Sequence, residues 1–312
     1  MTISTFLKLV EIKTKIASLF PFLIGLLFVI YRFEAFQPVN TLIFFMSMFL
    51  FDLTTTAINN YMDYRKATNA EYKTKRNIIG QKAIPERVVV TTIYTLLTSA
   101  ALLGIWLTVR TDLLVLLIGL VCFAIGIFYT FGPIPLSRMP LGEVFSGGAM
   151  GFGIIFLIIY VNAFDQGIAQ ITWASQMVHF QVDLFLMFEI LLISLPCVFT
   201  IANLMLANNI CDLEEDISNH RYTLPFYLGK KRSITLFNIL YIASFLSIVT
   251  AVFLNILPLA MLFTFIVIYP VYKHVRLFNR KQTKEETFEV AVKNLVIVNG
   301  SSVSLLIVAV LI

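Results

Sequence analysis

Charge is scarce in this 312-residue sequence. Asp, Glu, Lys and Arg make up 13% of it, whereas soluble globular domains carry about 25% of such residues. Hydrophobic residues reach 59%, and the mean hydropathy is +0.88. The composition therefore excludes a protein that faces water on all sides, and it predicts a membrane protein.

Cysteine and histidine are also few, with three of each. Cys122 and Cys197 lie inside apolar runs, where a small buried side chain is expected rather than half of a disulfide framework. No spacing typical of a zinc site is present, and the histidines are dispersed. The basic N-terminal segment resembles the start of a signal peptide, but no small-residue cleavage site follows before Arg32. We therefore interpret the first apolar run as a membrane helix.

Long apolar segments are what the chain does have. Several of them approach or exceed the roughly 18–20 residues that cross a bilayer as a helix. Nine spans are predicted, over residues 16–31, 40–58, 87–109, 112–131, 141–161, 184–206, 233–254, 257–274 and 292–312. We expect an all-α, polytopic membrane protein that forms a single domain over residues 1–312.

The placement of positive charge predicts the orientation, because Lys and Arg mark the cytoplasmic side. With the N-terminus inside, 21 of the 23 Lys and Arg residues fall on the inner side, and Arg32 and Arg110 fall outside. This predicts a cytoplasmic N-terminus and an external C-terminus. The net charge of +5 is explained by this asymmetry, so no nucleic-acid partner is expected. The long outer loop at 162–183, which contains no Lys or Arg, is predicted to be a passive connector.

Two short polar clusters share the pattern Asn-Asn-x-x-Asp. The first cluster is Asn59–Asp63. The second begins 149 positions later with Asn208–Asp212 and also includes Asp216. Each stands where a long apolar segment ends and a charged inner loop begins. The spacing predicts repeats at about 16–131 and 141–274, plus a ninth helix at about 292–312. Each repeat has four helices, and the inner loops form a cap over a polar site that the repeats share.

The chemistry of the clusters favours metal ions and a diphosphate. Asp212 and Asp216 are four positions apart, so both carboxylates face one side of a helix. One or two carboxylates, completed by phosphate and water oxygens, are how proteins usually hold Mg²⁺. An ordinary solvated loop charge is the alternative for each acid. Basic residues that follow the clusters are candidates for phosphate binding, and the cytoplasmic excess of positive charge is the alternative explanation for them.

Two other acids have a structural explanation beside the functional one. Asp52 lies inside the second span, on the same helix stripe as Asn59 and Asp63, and an intramembrane acid is often functional. A structural hydrogen bond or ion pair within the bundle is the favoured interpretation. Glu143 opens the fifth span, where a helix start favours an acid through the helix dipole.

The clusters resemble the two aspartate-rich motifs of the UbiA superfamily of intramembrane aromatic prenyltransferases. That family typically has nine helices, with the motifs after helices 2 and 6. The second motif, Asp-x-x-x-Asp, is intact as Asp212 to Asp216. The first, Asn-Asp-x-x-Asp with a further acid downstream, is altered. Asn60 stands where the family has Asp, and Ala67 or Asn69 stands in place of the downstream acid.

The segments Tyr129–Leu136, Gly142-Glu143 and Asn208–Asp216 are similar to the branch that prenylates 1,4-dihydroxy-2-naphthoate for menaquinone. The resemblance covers essentially the whole chain. It implies transfer of a polyprenyl group from polyprenyl diphosphate to that acceptor, giving demethylmenaquinone. A benzoate, homogentisate or haem acceptor is the alternative. It also implies Mg²⁺ as cofactor, contact with membrane lipid, and a place in the cell membrane with the active-site loops in the cytoplasm.

The clusters and the resemblance together give the candidate site residues. The implied catalytic residues are Asp63, Asp212 and Asp216. The implied metal ligands are Asn59, Asn60, Asp63, Asp212 and Asp216. The implied diphosphate ligands are Lys73, Lys75, Arg76, Arg221 and Asn208. Further candidates are Asn69, Glu71 (a replacement for the missing acid), Asn209, Asp52, Glu143 and Tyr129.

Two other protein classes compete with this interpretation. A secondary transporter also has internal repeats, but its polar groups lie near the midplane of the membrane. Here most acids lie at the inner ends of the spans, and Asp52 is the clear exception. A phosphatidyl-type phosphotransferase also uses aspartates and metal ions, but its Asp-Gly and Ala-Arg signature is absent from both clusters.

Overall fold

Helices make up almost all of the regular structure in the computed structural model of the chain, which describes residues 1–67, 73–74, 77–132, 135–174 and 176–312. The chain divides into two compact units. The first consists of Met1–Ile16 and Pro38–Pro135, and the second of Ala17–Gln37 and Leu136–Ile312. The predicted repeats at about 16–131 and 141–274 have other boundaries, and their symmetry stays a prediction.

The N-terminal part of the chain contains six helices among its described residues. In chain order they are α1 (Ile3–Leu9), α2 (Ile16–Phe33), α3 (Pro38–Lys66), α4 (Ile78–Gln81), α5 (Glu86–Arg110) and α6 (Leu113–Phe128), with a 3₁₀ turn at Ile12–Lys15. In the first unit, α3 packs against α5 and α6. Leu9, Leu53, Ala57, Val89 and Ile93 form its buried core, which fixes the end of α3.

The rest of the chain alternates long helices with short ones. In chain order it contains a 3₁₀ turn (Leu136–Arg138), α7 (Gly142–Ser146), a π-helical segment (Gly147–Gly153), α8 (Ile154–Ala163), β1 (Ala169–Ala174), β2 (Met177–Val182), α9 (Leu184–Cys211), α10 (Leu213–Ser218), α11 (Leu224–Leu228), α12 (Lys230–Phe253), a 3₁₀ segment (Leu259–Val267), α13 (Ile268–Arg280) and α14 (Glu289–Leu311). In the second unit, α9 packs against α12, α14 and the π-helical segment. Leu206, Phe237, Phe245 and Val298 belong to the buried core beside the end of α9.

Within the described residues, eight helical stretches are long and apolar enough to cross a membrane. They agree with eight of the nine predicted spans. The remaining predicted span, at 112–131, is the shorter apolar helix α6, so the count of nine stays a prediction. The ends of three spans differ from expectation, because α3 continues to Lys66, α9 to Cys211 and α13 to Arg280 rather than stopping at 58, 206 and 274. Polar residues extend these helices beyond their apolar parts.

The loop at 162–183, for which a passive connector is predicted, contains regular structure. Its residues 169–174 and 177–182 form the antiparallel hairpin β1–β2. The hydroxyl of Tyr160 donates to Ala169 O at 3.0 Å, which ties the start of the hairpin to the preceding helix. The β-branched and aromatic residues of both strands favour extended backbone, which explains the hairpin. Asp183 then caps α9 by accepting hydrogen bonds from the N–H groups of Phe185 and Leu186.

A close approach of two helical segments holds α9 in the second unit. A methyl group placed on Gly151 would lie 2.6 Å from the backbone N and Cα of Val198, and one on Gly147 would lie 2.7 Å from Val198 O. Only a residue without a side chain fits at such distances. These glycines therefore let the π-helical segment pack directly on the backbone of α9.

Candidate active site

The second cluster forms the end of α9 and the beginning of α10. Asn208 lies in the last turn of α9, Asp212 is the residue at its C-terminal cap, and Asp216 lies in α10. The N–H of Asp216 donates to Asp212 O at 2.7 Å, so the helical spacing continues across the cap. The two acids thus keep the one-turn relation that their spacing predicts.

Asp216 is a buried acid that lies beside Arg221. Asp216 is 4% exposed, and its Oδ1 atom lies 3.3 Å from Nε of Arg221. Its other carboxylate oxygen, Oδ2, is buried and has no hydrogen-bond partner among the residues that the structure describes. Burial raises the pKa of Asp216 to about 6, while Arg221 lowers this pKa and Asp212 raises it. An orphaned buried oxygen of this kind is open to a ligand that carries positive charge.

Arg221 is held in place by hydrogen bonds from its backbone and from its side chain. Its N–H donates to Asp216 O at 2.8 Å, and its guanidinium donates to Ser137 O at 3.4 Å. The next residue, Tyr222, donates its N–H to Arg138 O at 3.2 Å. These contacts attach the α10–α11 segment to the 3₁₀ turn before α7. Arg221 is therefore a positioned cation rather than a loosely solvated one.

Asp212 pairs with a residue that the sequence analysis did not single out. Lys284, in the α13–α14 connector, places its ammonium group 2.6 Å from Asp212 Oδ2. The same group donates to Asn208 Oδ1. Within the described parts of the chain, Asp212 thus pairs with Lys284 and Asp216 with Arg221. Lys284 belongs to a predicted inner loop on the same side as the clusters. It lies outside both motifs, so no sequence pattern around it points to a role at the site.

Asn209 and Glu143 form a buried polar pair beside this cluster. Asn209 is 1% exposed and Glu143 is 4% exposed. The Asn209 amide donates to Glu143 Oε1 at 2.9 Å, while Glu143 Oε2 and Asn209 Oδ1 have no hydrogen-bond partner within the described parts of the chain. Glu143 lies in the first turn of α7, as its position at a helix start predicts.

The first cluster lies in the last two turns of α3. Asn59 Oδ1 accepts a hydrogen bond from the Thr130 hydroxyl at 3.1 Å, and Asp63 follows one turn later. The Asn60 amide donates to Leu9 O at 2.9 Å and to Glu11 Oε1 at 3.2 Å. Asn60 therefore joins α3 to the N-terminal segment. Its role as a metal ligand, and those of Asn59 and Asp63, stay predictions.

Asp52 lies deeper in α3, in an ion pair. Lys15 contacts Asp52 Oδ1 at 2.7 Å and donates to the Thr56 hydroxyl at 2.5 Å. Lys15 is buried, so this pair compensates two charges inside the apolar part of the unit. The arrangement is the structural ion pair that the sequence analysis favours for Asp52.

The structure describes some of the remaining candidate residues and not others. Lys73 lies over the ring of Tyr64, 4.6 Å from its centroid. Tyr129 follows α6 at its C-terminal cap. Lys75, Arg76, Asn69 and Glu71 lie outside the described residues. The prediction that the repeats share one site stays a prediction.

The residues of the second cluster fit a hard cation. Asn208, Asp212 and Asp216 supply oxygen donors, and Asp216 Oδ2 lacks another partner among the described residues. Mg²⁺ prefers such oxygens and keeps several water or phosphate ligands. In the described ranges, no three His, Cys, Asp or Glu side chains come close enough to form a metal site by themselves. A metal ion here would therefore need substrate oxygens and water to complete its coordination.

A curated relative matches much of the chain. Over 227 residues, the sequence is 28% identical to 1,4-dihydroxy-2-naphthoate octaprenyltransferase of Bacillus subtilis (strain 168). The match includes 72% of this chain and 65% of that enzyme, which is slightly less than two thirds of its length.

Solved structures share the fold. The apo structure of a UbiA homolog from Aeropyrum pernix K1 has a TM-score of 0.69 at 16% identity, and the match covers 93% of this chain and 96% of that one. A UbiA homolog from Archaeoglobus fulgidus bound to DMAPP and Mg²⁺ has a TM-score of 0.66 at 12% identity, with 99% of both chains covered. At such identities the likeness shows the fold alone, an all-α intramembrane architecture.

The sequence also matches a known protein family over most of its length. Residues 18–297 match the UbiA prenyltransferase family, a range that includes both polar clusters, Glu143 and Lys284. Together with the spanning helices, this match makes the protein a multi-pass membrane protein of known architecture. The chain belongs to the UbiA prenyltransferase family.

Proposed function

We propose that the protein transfers a polyprenyl group from its diphosphate to an aromatic acceptor, with 1,4-dihydroxy-2-naphthoate as the acceptor and the hydroquinone form of demethylmenaquinone as the product. Family membership and the Bacillus subtilis relative support this reaction. The observation that carries it is the second cluster. There the family's intact acid motif presents a buried carboxylate oxygen at Asp216 that has no hydrogen-bond partner among the described residues, beside the positioned cation Arg221.

In this proposal Asp212 and Asp216 hold Mg²⁺, and Asn59, Asn60 and Asp63 have the same role in the first cluster. Asn208, which the family resemblance implies as a diphosphate ligand, is proposed here as a further Mg²⁺ ligand, because its Oδ1 faces the same cation as Asp212 Oδ2. Bound Mg²⁺ supplies positive charge that stabilises the leaving diphosphate. Arg221 adds a fixed guanidinium that suits phosphate oxygens because it can donate two parallel hydrogen bonds. Lys73, Lys75 and Arg76 are proposed for the same diphosphate.

The bond changes follow from the two substrates. The C–O bond between the prenyl group and the diphosphate breaks, and the diphosphate leaves with the bonding electrons. The electron-rich ring carbon forms a C–C bond to the allylic carbon, and its carboxylate leaves as carbon dioxide. The buried Glu143–Asn209 pair is proposed to lie near the acceptor, because Asn209 is a member of the second cluster.

Membrane lipid surrounds the spans in this proposal, and the N-terminus and both polar clusters face the cytoplasm. The distribution of Lys and Arg supports this orientation. An apolar environment suits a long prenyl chain, while the charged diphosphate approaches from the side that carries the basic residues. The cell membrane is the proposed location.

The reaction is tested with membranes that contain the protein, a radiolabelled prenyl diphosphate and a panel of acceptors. We expect a prenylated, decarboxylated product from 1,4-dihydroxy-2-naphthoate, and no product when Mg²⁺ is chelated. Equal or better turnover of a benzoate or of homogentisate would assign another acceptor. Absence of any prenylated product with every acceptor would refute the proposed function.

Replacing Asp212 or Asp216 by Ala tests the second cluster directly. We expect turnover to fall about a hundredfold or more, as happens when a group that stabilises transition-state charge is lost. Glu214→Ala is the matched control, because Glu214 is an exposed acid of the same short helix. Turnover close to normal in both aspartate variants, at matched expression, would contradict the assignment.

A further inference from the structure

Lys284 lies in the connector between α13 and α14, whose residues make several contacts with one another. Between α13 and α14, Lys281 pairs with Glu286 at 2.7 Å, and the Thr287 hydroxyl donates to Thr283 O at 3.1 Å. Thr287 itself is buried. These contacts fix the backbone from which Lys284 extends toward the end of α9.

The Lys284 ammonium contacts two oxygens of the second cluster. Its distance to Asp212 Oδ2 is 2.6 Å, and it also donates to Asn208 Oδ1. The ring of Phe288, 5.0 Å away, adds a cation–π contact. Asn208 and Asp212 are one turn apart, so a single cation bridges the two oxygens that the proposed function gives to the metal ion.

A metal ion and this ammonium group compete for the same oxygens. Two positive charges about 4 Å apart repel each other by roughly 1 kcal/mol in water and more near a protein surface. The Lys284 side chain is 42% exposed, and four rotatable bonds give it room to move away. The arriving diphosphate is strongly anionic and offers such a cation a new partner.

We propose that Lys284 is a displaceable cation. In the metal-free protein its ammonium group occupies the cation position between Asn208 and Asp212. When metal ion and diphosphate bind, it leaves Asp212 and contacts a diphosphate oxygen. This inference rests on the proposed function, since it assumes that the second cluster binds a metal ion and a diphosphate. It makes Lys284 a residue that opposes binding of the metal alone and favours binding of the metal together with diphosphate.

The test uses the purified full chain and two probes. Mn²⁺ binding is measured by electron paramagnetic resonance without diphosphate, and binding of inorganic diphosphate is then measured by calorimetry at saturating Mn²⁺. For Lys284→Gln we expect Mn²⁺ alone to bind roughly three- to tenfold more tightly, and diphosphate to bind roughly three- to tenfold more weakly. Lys284→Arg retains the charge, so it should remain closer to wild type in both measurements.

Lys281→Gln is the matched control, because Lys281 lies in the same connector but pairs with Glu286. It should change neither affinity. If Lys284→Gln leaves both affinities unchanged or weakens both, Lys284 is not a displaceable cation. If the wild-type protein binds neither Mn²⁺ nor diphosphate, the proposed function itself fails. Binding of both by wild type, with an unaltered Lys284→Gln variant, would refute this inference alone.

Discussion

At the scale of single residues, the two acids of the second cluster have different surroundings although they are one helical turn apart. Asp212 is partly exposed and pairs with the long, partly exposed side chain of Lys284. Asp216 is buried, its partner Arg221 is anchored by backbone contacts, and one of its oxygens has no hydrogen bond among the described residues. Burial raises the pKa of Asp216 to about 6, so the protonation of this carboxyl responds to pH near neutrality.

Metal binding should depend on pH through Asp216. A carboxylate oxygen must lose its proton before it binds a metal ion, and burial raises the pKa of Asp216 to about 6 in the metal-free protein. Above that pH no proton needs to leave. Below it, Mn²⁺ affinity should fall about tenfold per pH unit. An acid with its ordinary pKa would retain full affinity down to about pH 4.

The profile can be measured by titrating Mn²⁺ into the protein between pH 5 and 8. Arg221→Gln provides the comparison, since Arg221 lowers the pKa of Asp216 and its loss should move the midpoint upward. Asp216→Asn should flatten the profile. A midpoint near pH 4 in the wild-type protein would contradict the role given to Asp216.

Asn60 is the residue at which the first motif departs from the family pattern, and its contacts explain what an Asp would change there. Its amide donates to Leu9 O and Glu11 Oε1. An Asp has no amide hydrogens, so both donors would be lost and two carboxylates would face each other. The neutral residue therefore suits the N-terminal segment as it is folded in this chain.

Asn60→Asp should destabilise the protein by about 1–2 kcal/mol, because it removes two hydrogen bonds and adds a repulsion. The additional change Glu11→Gln restores an amide–carboxylate pair in the reverse direction and should recover part of this loss. Thermal unfolding of the wild type, both single variants and the double variant measures the coupling between the two residues. Additive effects would show that residues 11 and 60 do not interact.

At the scale of elements, α9 is the helix on which the candidate site depends. It carries Asn208 and Asn209 in its last turn and ends at Cys211, with Asp212 at its C-terminal cap. The π-helical segment before α8 contacts its backbone at Val198, through Gly147 and Gly151. The position of the second cluster thus depends on a contact that tolerates no added atom.

Gly151→Ala should therefore be destabilising. The new methyl group would overlap the backbone of Val198, and backbone cannot move aside as the tip of a side chain can. Overpacking of this kind typically costs about 1–3 kcal/mol. Gly148→Ala is the control, because nothing lies within 4 Å of a methyl group at that position. Equal melting temperatures for the two variants in detergent would contradict the close approach.

The elements also show what could be predicted from the sequence. Apolar length located the spans, since the bilayer requires roughly 20 apolar residues per helix. It could not locate the ends of α3 and α9, where hydrogen bonding continues the helix through polar residues up to Lys66 and Cys211. The hairpin β1–β2 was missed because a short pair of strands has no apolar span to mark it. The motif spacing indicated Asp212 and Asp216, but Lys284 becomes a neighbour only through the fold.

At the scale of the whole molecule, charge asymmetry is the property that relates the chain to its membrane. Nearly all Lys and Arg residues fall on one side in the predicted arrangement, together with both polar clusters. Lys231, at the start of α12, and Gln170, in β1, are exposed positions on opposite sides in that arrangement. They are suitable sites for testing the proposed orientation.

Cysteines introduced at these two positions should react differently in intact cells. In a background without the three native cysteines, Gln170→Cys should react with an impermeant maleimide, and Lys231→Cys should react only after the cells are permeabilised. The basic residues keep their side of the membrane cytoplasmic, which is the reason for this expectation. The reverse labelling pattern would refute the orientation.

The burial of the Asp216 carboxyl has a consequence for the lifetime of the protein. A buried acid whose pKa is raised stabilises the fold below its ordinary pKa of about 4, and this contribution is lost as the pH rises through about 6. At neutral pH the ligand-free fold therefore carries a destabilising ionised group. A ligand that binds only the folded state restores the stability by mass action. Since cellular proteases remove the less stable form, the abundance of the protein should follow the supply of its own substrate.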